Sequence, residues 1–471
     1  MKRIILALLI VSSFLVSCDQ NLDLKPFNAL ETEVALQTPS DFTNAVRGVY
    51  SSMRGGSYYG GWYISTPDIL ADNLIISSEG RTSKQSIHYW NYSGNNTWGL
   101  LWDQAYRTIY RANAILENLE NLDEGDFRNN IEGEALALRA LSHFDMARVY
   151  AKFPQDGASD MGIPYVTSTD VTLVPERPTV QETYDNILAD FQRAKDLIAD
   201  NNGDGRLGAD AVNGLLSRVY LYIQDYDGTI NAASAALRSD PSVGSIDLFP
   251  GIWTDATDEG VAFKIRHTEA DGTSIGVEYS QTGTTGVRSE YVAAYDFFQL
   301  YQENDIRTTT YFSTTPFADK LFNHIAKYFG RETGSLNVVD TKVLRWAEVY
   351  LNRAEAYAEK GMDAEALADL DVVRSQRYTD FTSGNETGQA LKDAIQLERR
   401  LELAFEGHRF FDLKRQGLPV DRSNFGDLAD GTGVTLPADA LLLPADDPRF
   451  QLPIPQAELN ANPNMQQNPG Y

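Results

Sequence analysis

Cysteine is almost absent: the 471-residue chain has one, Cys18, so it can form no internal disulfide. Stability must come from a packed core, for which a chain of this length suffices. Long apolar runs are also missing. Nowhere do about eighteen apolar residues follow one another, which argues against a membrane-spanning helix in the body. Basic residues are few, 40 against 66 acidic, and the net charge of −26 repels phosphate backbones, so no nucleic-acid partner is expected. His88, His143, His267, His324 and His408 lack metal-ligand spacing, and no metal or other cofactor is expected.

The positive signals begin at the N-terminus. Lys2 and Arg3 precede an apolar stretch from Ile4 to Val16, and Leu15-Val16-Ser17-Cys18 resembles a bacterial lipoprotein cleavage box. This predicts a signal peptide over 1–17, lipidation at Cys18 and a polar, lipid-anchored leader over 18–38 that contains Pro26. Several acyl chains, each gaining about 0.8 kcal/mol per buried CH2, would hold where one chain does so marginally. An ordinary secreted protein would instead carry a stray thiol into an oxidising compartment.

Helical periodicity dominates the body of the chain. A helix capped by Ser40 or Asp41 keeps Phe42, Val46, Val49 and Met53 on one face until Gly55 and Gly56. Further helical tracts run over Leu101 to Leu122, Ile131 to Phe153, Val180 to Asp200, Ala209 to Leu237, Lys342 to Arg377 and Gly388 to Arg415. Ala211 to Arg238 and Ala347 to Arg374 each read as helix, short break and Ala-rich helix, the unit of tetratricopeptide arrays. From about 241 to 334 the chain turns to loops and short β-branched runs, and the proline-rich last fifty residues read as a tail wrapping the body.

Several motifs have a bland reading beside a functional one. Gly272-Thr273-Ser274-Ile275-Gly276 matches a nucleophile elbow but lacks the flanking strand and apolar helix that would expose Ser274, so it reads as a loop. Asp200-Asn201-Asn202-Gly203-Asp204-Gly205 starts like a calcium loop, yet Ala211 stands where a bidentate Glu belongs, and a turn explains it equally. Glu398, Glu402, Glu406, Arg409, Asp412 and Arg415, like Asp305 with Arg307 and Glu134 with Arg139, read as structural ion pairs rather than a recognition strip.

Flat rings beside carboxylates and amides are what sugar recognition needs. Tyr58-Tyr59-Gly60-Gly61-Trp62-Tyr63, followed by Asp68, Asp72 and Asn73, meets that description, as does Trp90-Asn91-Tyr92-Ser93-Gly94-Asn95-Asn96. Trp62, Tyr63, Asp68, Asp72, Trp90 and Tyr92 are therefore the candidate ligand-binding residues, each ring open to a packing reading as well. Trp102, Tyr106 and Ile109 fall on a helical stripe and read as core, as does Trp346, whereas Trp98 fits either role. If the loop rings prove to be packing, the loops around Trp253 and Tyr279 are next in line.

Several segments in order resemble the SusD/RagB family of outer-membrane nutrient-binding lipoproteins. They are Leu22-Asp23-Leu24-Lys25-Pro26 after Cys18; Gly133-Glu134-Ala135 with Leu138-Arg139-Ala140; Gly162-Ile163-Pro164-Tyr165; Asn304-Asp305-Ile306-Arg307; Arg345-Trp346-Ala347-Glu348; Glu398-Arg399-Arg400-Leu401-Glu402 through Arg409; and Asn468-Pro469-Gly470-Tyr471. The resemblance implies an all-α, SusD-like body of tetratricopeptide-like helix pairs over 39–471, with loops and a few short strands. It also implies a non-catalytic lipoprotein on the cell surface that captures an oligosaccharide and delivers it to a SusC-like TonB-dependent transporter. A peptide-binding or protein-interaction scaffold on the same helices is the alternative.

Overall fold

Thr38, not Ser40 or Asp41, starts the first helix, because it closes a reciprocal cap. Its hydroxyl accepts the Asp41 N–H at 3.3 Å while the Asp41 carboxylate accepts the Thr38 N–H at 2.9 Å, and Pro39 supplies a preset φ at the first helical position. In this computed structural model residues 36–272, 275–283 and 286–471 are described. The signal segment, Cys18, the leader up to residue 35 and Ser274 lie outside the described residues.

The long helices are α1 (Pro39–Met53), α2 (Trp62–Leu70), α3 (Gly99–Glu117), α4 (Asp126–Tyr150), α5 (Val180–Leu197), α6 (Ala209–Tyr222), α7 (Tyr226–Ala236), α8 (Trp346–Glu359), α9 (Asp363–Arg374) and α10 (Gly388–Glu402). Two short ones, α11 (Arg409–Arg415) and α12 (Gln456–Ala461), lie beyond them in the chain. Helices pack as consecutive antiparallel-style neighbours: α3 on α4, α4 on α5, α6 on α7, α8 on α9. Both repeats read from the sequence are thus helix pairs, and they adjoin, since α7 also packs on α8. Small residues permit this closeness. A Cβ on Gly214 of α6 would stand 2.7 Å from Leu344 Cδ2 and 3.1 Å from Val349 Cγ2, and one on Gly133 of α4 would stand 2.7 Å from the Ile198 nitrogen.

Two helical tracts are interrupted at points where no break was read, beyond the one read within Ala347 to Arg374. Lys342 to Arg377 opens with a strand, Thr341–Arg345, before α8, and Gly388 to Arg415 breaks between α10 and α11, where Phe405 takes φ +64. The strands form two-stranded antiparallel ladders. Leu74–Ile76 pairs with Tyr291–Ala293, Val261–Ile265 with Thr341–Arg345, and Phe312–Phe317 with Lys320–Ile325. The C-terminal tail wraps the body: Leu452 donates its N–H to Val149 O (3.0 Å), and Asn468 Nδ2 donates to Tyr150 O (2.9 Å).

Charged groups are buried inside this frame in closed pairs. Glu402 receives Arg345 Nη1 (2.7 Å) and Arg377 Nε (2.8 Å), Asp412 receives Arg399 Nε (2.9 Å), and Arg307 spans Asp305 and Glu398. One expected pairing is wrong. Five residues apart on a helix, Glu134 and Arg139 face different sides, so Glu134 takes Arg206 and the Tyr50 hydroxyl while Arg139 forks onto Asp190 at 2.7 and 2.9 Å.

Candidate functional site

The loop rings expected at the surface are mostly inside. Tyr63 is 3% exposed, and its hydroxyl joins those of Tyr58 and Tyr59 in donating to Asp145 at 2.6 to 2.7 Å, with Arg148 completing the carboxylate's shell. The glycines that pointed outward serve another purpose. Residues 54–61 double back on themselves so tightly that a Cβ on Gly60 would meet Arg54 O at 2.1 Å, and this turn drives the rings inward. Trp90, at φ +53, is 2% exposed; its Nε1 donates to Leu70 O (2.9 Å), and the Arg422 guanidinium lies 4.1 Å from its ring centroid. Tyr92 is buried too and donates to Arg449 O.

The two carboxylates are consumed as well. Asp68 accepts the backbone N–H of Phe405 (3.2 Å) and of Gly407 (3.1 Å), holding the break between α10 and α11 in place. Burial nevertheless pushes its carboxyl up to about 7. Asp72 is forked by Arg409 at 2.7 and 2.8 Å and touched by Arg400 at 3.2 Å. Against the desolvation of burial, these two guanidiniums hold it below the usual carboxylate range. Only Trp62 keeps a partly open ring, with Lys84 Nζ 4.4 Å from its centroid. The fallback rings, Trp253 and Tyr279, are 3% and 0% exposed. At the calcium-like loop a lysine occupies the acidic centre: Lys264 Nζ reaches Asp258 (2.7 Å), Asp204 (3.1 Å) and Asp340 (3.2 Å).

Trp102 and Ile109 are buried as their spacing implied, but an aromatic cleft opens along one edge of that stripe. Trp102, Tyr106 and Tyr110 succeed one another at four-residue steps along α3 and, with Asp103, Arg107, Arg111, Pro164, Val166, Pro175 and Glu458 of α12, line a cleft of about 540 Å³. Trp102 is 5% exposed and anchors the floor, its Nε1 donating to Glu458 Oε2 at 3.2 Å. Tyr106 packs 5.1 Å from it, centroid to centroid, and donates to Pro164 O (2.8 Å); Tyr110 is 41% exposed. The strap from 162 to 179 forms the opposite wall, tied to α3 by Asn113 Nδ2 on Val166 O and to the tail by Asn462 Nδ2 on Pro175 O. Apolar ring surface with charged groups on the rim suits a sugar ring, whose C–H face stacks while its hydroxyls hydrogen-bond. Helical spacing alone could not have told this cleft from core, because charged neighbours such as Arg107 and Arg111 also flank the buried stripe of any amphipathic helix.

Paired helices in series, closed by a wrapping tail and bearing an open aromatic cleft, define a helical-repeat protein. The chain belongs to the SusD family: the SusD family model matches residues 218–471, and a second model, described as starch-binding associating with outer membrane, matches residues 20–221. A SusD-like protein of Formosa agariphila is 25% identical over 89% of this chain and 92% of its own length. Among solved structures, a SusD superfamily protein from Bacteroides thetaiotaomicron superposes with a TM-score of 0.82 at 28% identity, covering 92% of this chain and 100% of that one. A putative sugar binding protein from Bacteroides vulgatus gives 0.80 at 26% identity, covering 93% and 99%.

Proposed function

We propose that this protein binds glycan without cleaving it, at the outer face of an outer membrane to which Cys18 anchors it, and hands the sugar to a SusC-like TonB-dependent transporter. The observation that carries the reading is the α3 cleft, an open run of aromatic residues with a charged rim in a chain of the SusD family. Tyr106 and Tyr110 supply the stacking faces; Asp103, Arg107, Arg111 and Glu458 are the partners for hydroxyls. Trp62 does not line this cleft. Calorimetric titration of an oligosaccharide panel against the full chain in detergent tests the reading. Tyr110→Ala, which removes one exposed ring, should weaken the bound oligosaccharide by about 1 to 3 kcal/mol, by analogy with other flat ligands on aromatic platforms. Unchanged affinity in that variant would place binding elsewhere.

A further inference from the structure

The charged residues lining the α3 cleft are not all paired. Arg107 is paired with Asp103 one turn away (3.0 Å), and both side chains are exposed. The Glu458 carboxylate accepts only the Trp102 indole N–H among the described residues. Behind Tyr106 sits Arg177, which donates to the carbonyls of Gly162, Gln466, Tyr150 and Met161 and to Asn468 Oδ1 but meets no carboxylate among the described residues. Arg177 and Glu458 both act electrostatically on the Tyr106 hydroxyl, so these two charges offset each other there. Arg111 is left over. Its Nη1 is held by Gly48 O at 2.7 Å, which fixes the guanidinium at the cleft's rim beside Tyr110, and no carboxylate lies in ion-pair range of it among the described residues. Of the four charged residues that line the cleft, Asp103 and Arg107 pair with each other and Glu458 is engaged by Trp102, so Arg111 is the guanidinium of the lining with no carboxylate partner among the described residues, on a chain whose net charge is −26.

We infer that the cleft selects an acidic sugar, a ring bearing a carboxylate or a sulfate ester that pairs with Arg111 while the ring stacks on Tyr110. This rests on the cleft being the glycan site. A guanidinium fork held at one nitrogen presents its remaining N–H groups in the geometry an oxyanion accepts in pairs, whereas a neutral hydroxyl uses one of them. The surrounding negative charge disfavours an acidic ligand everywhere else on the surface, which sharpens the choice of this place.

The test titrates oligosaccharides of equal length, one built of hexuronates, one sulfated and one neutral, against the wild-type chain, Arg111→Gln, Arg111→Lys and Tyr110→Ala. An acidic arm should bind roughly tenfold tighter than the neutral one at low salt, and the tighter of the two acidic arms identifies the oxyanion. That preference should shrink as salt rises, fall to near one in Arg111→Gln and return in part in Arg111→Lys. Equal affinities for acidic and neutral arms, or a preference that survives Arg111→Gln, would overturn the inference while leaving the cleft as a neutral-sugar site. Failure of Tyr110→Ala to affect any arm would remove the cleft itself.

Discussion

Tyr63→Phe separates packing from ligand binding at the loop that looked most like a sugar platform. The substitution removes one oxygen and keeps the ring, which packs 5.4 Å from Tyr58, 5.2 Å from Tyr59, 5.5 Å from Trp98 and 6.3 Å from Phe411, centroid to centroid. What is lost is the hydrogen bond donated to Asp145 Oδ1 at 2.7 Å and the one the same hydroxyl accepts from Arg148 Nη2, both to charged partners in a fully buried site. Hydrogen bonds to charged groups contribute about 1.5–3 kcal/mol each, so stability should fall by at least that amount. Two phenol donors and Arg148 then remain on the carboxylate, enough to keep the fold intact. Urea unfolding followed by tryptophan fluorescence gives the stability change, and titration of the same sample with oligosaccharide gives the affinity. Unchanged stability with a drop in glycan affinity would refute the packing role, because Tyr63 would then be facing ligand rather than Asp145.

Glu402→Gln should cost about 3–5 kcal/mol, since it removes the only carboxylate that Arg377 meets among the described residues and leaves that buried guanidinium with neutral carbonyl acceptors alone; a thermal-melt loss below about 1 kcal/mol would contradict this. Asp68 has the reverse of the usual carboxylate linkage. Its folded value of about 7 lies above the ordinary 3.8, so the folded state holds the proton more tightly and the stability it adds is full below about pH 4 and lost as pH rises through about 7. Asp68→Asn should flatten that stretch of the stability–pH curve, and an unaltered slope would show that another group sets it. Cys18→Ala should release the protein from the membrane fraction in cells lacking the transporter; retention there would argue against a lipid anchor.

Much of the fold was legible because its signals are local. About thirty residues suffice to show a helix pair, and the Ala-rich second helices at α7 and α9 announce close packing within their own windows. Breaks were harder. Gly407, at φ +80, is the one local mark of the break after α10, and it stands five residues past the helix end; the turn is held by Asp68, 339 residues before Gly407, which accepts its N–H. The candidate site suffered from the same non-locality. Tyr63 and Asp145 are 82 positions apart and Asp72 and Arg409 337 apart, so aromatics and acids that look unclaimed in a short window are already bonded in space. The converse holds for Tyr106. Its helical spacing implies core, but the wall that would bury it, the strap around Pro175, stops short and leaves a cleft that Tyr110, which no reading singled out, also lines.

Whether a sugar ring is held on the α3 aromatic cleft is the point on which the proposed function turns. A crystal structure of the protein with the tightest-binding oligosaccharide tests it directly. The expected result is a sugar ring stacked on Tyr106 or Tyr110, within hydrogen-bond reach of Arg111 or Glu458. A ring seated instead against Trp62 and Lys84, with the α3 cleft empty, would contradict it.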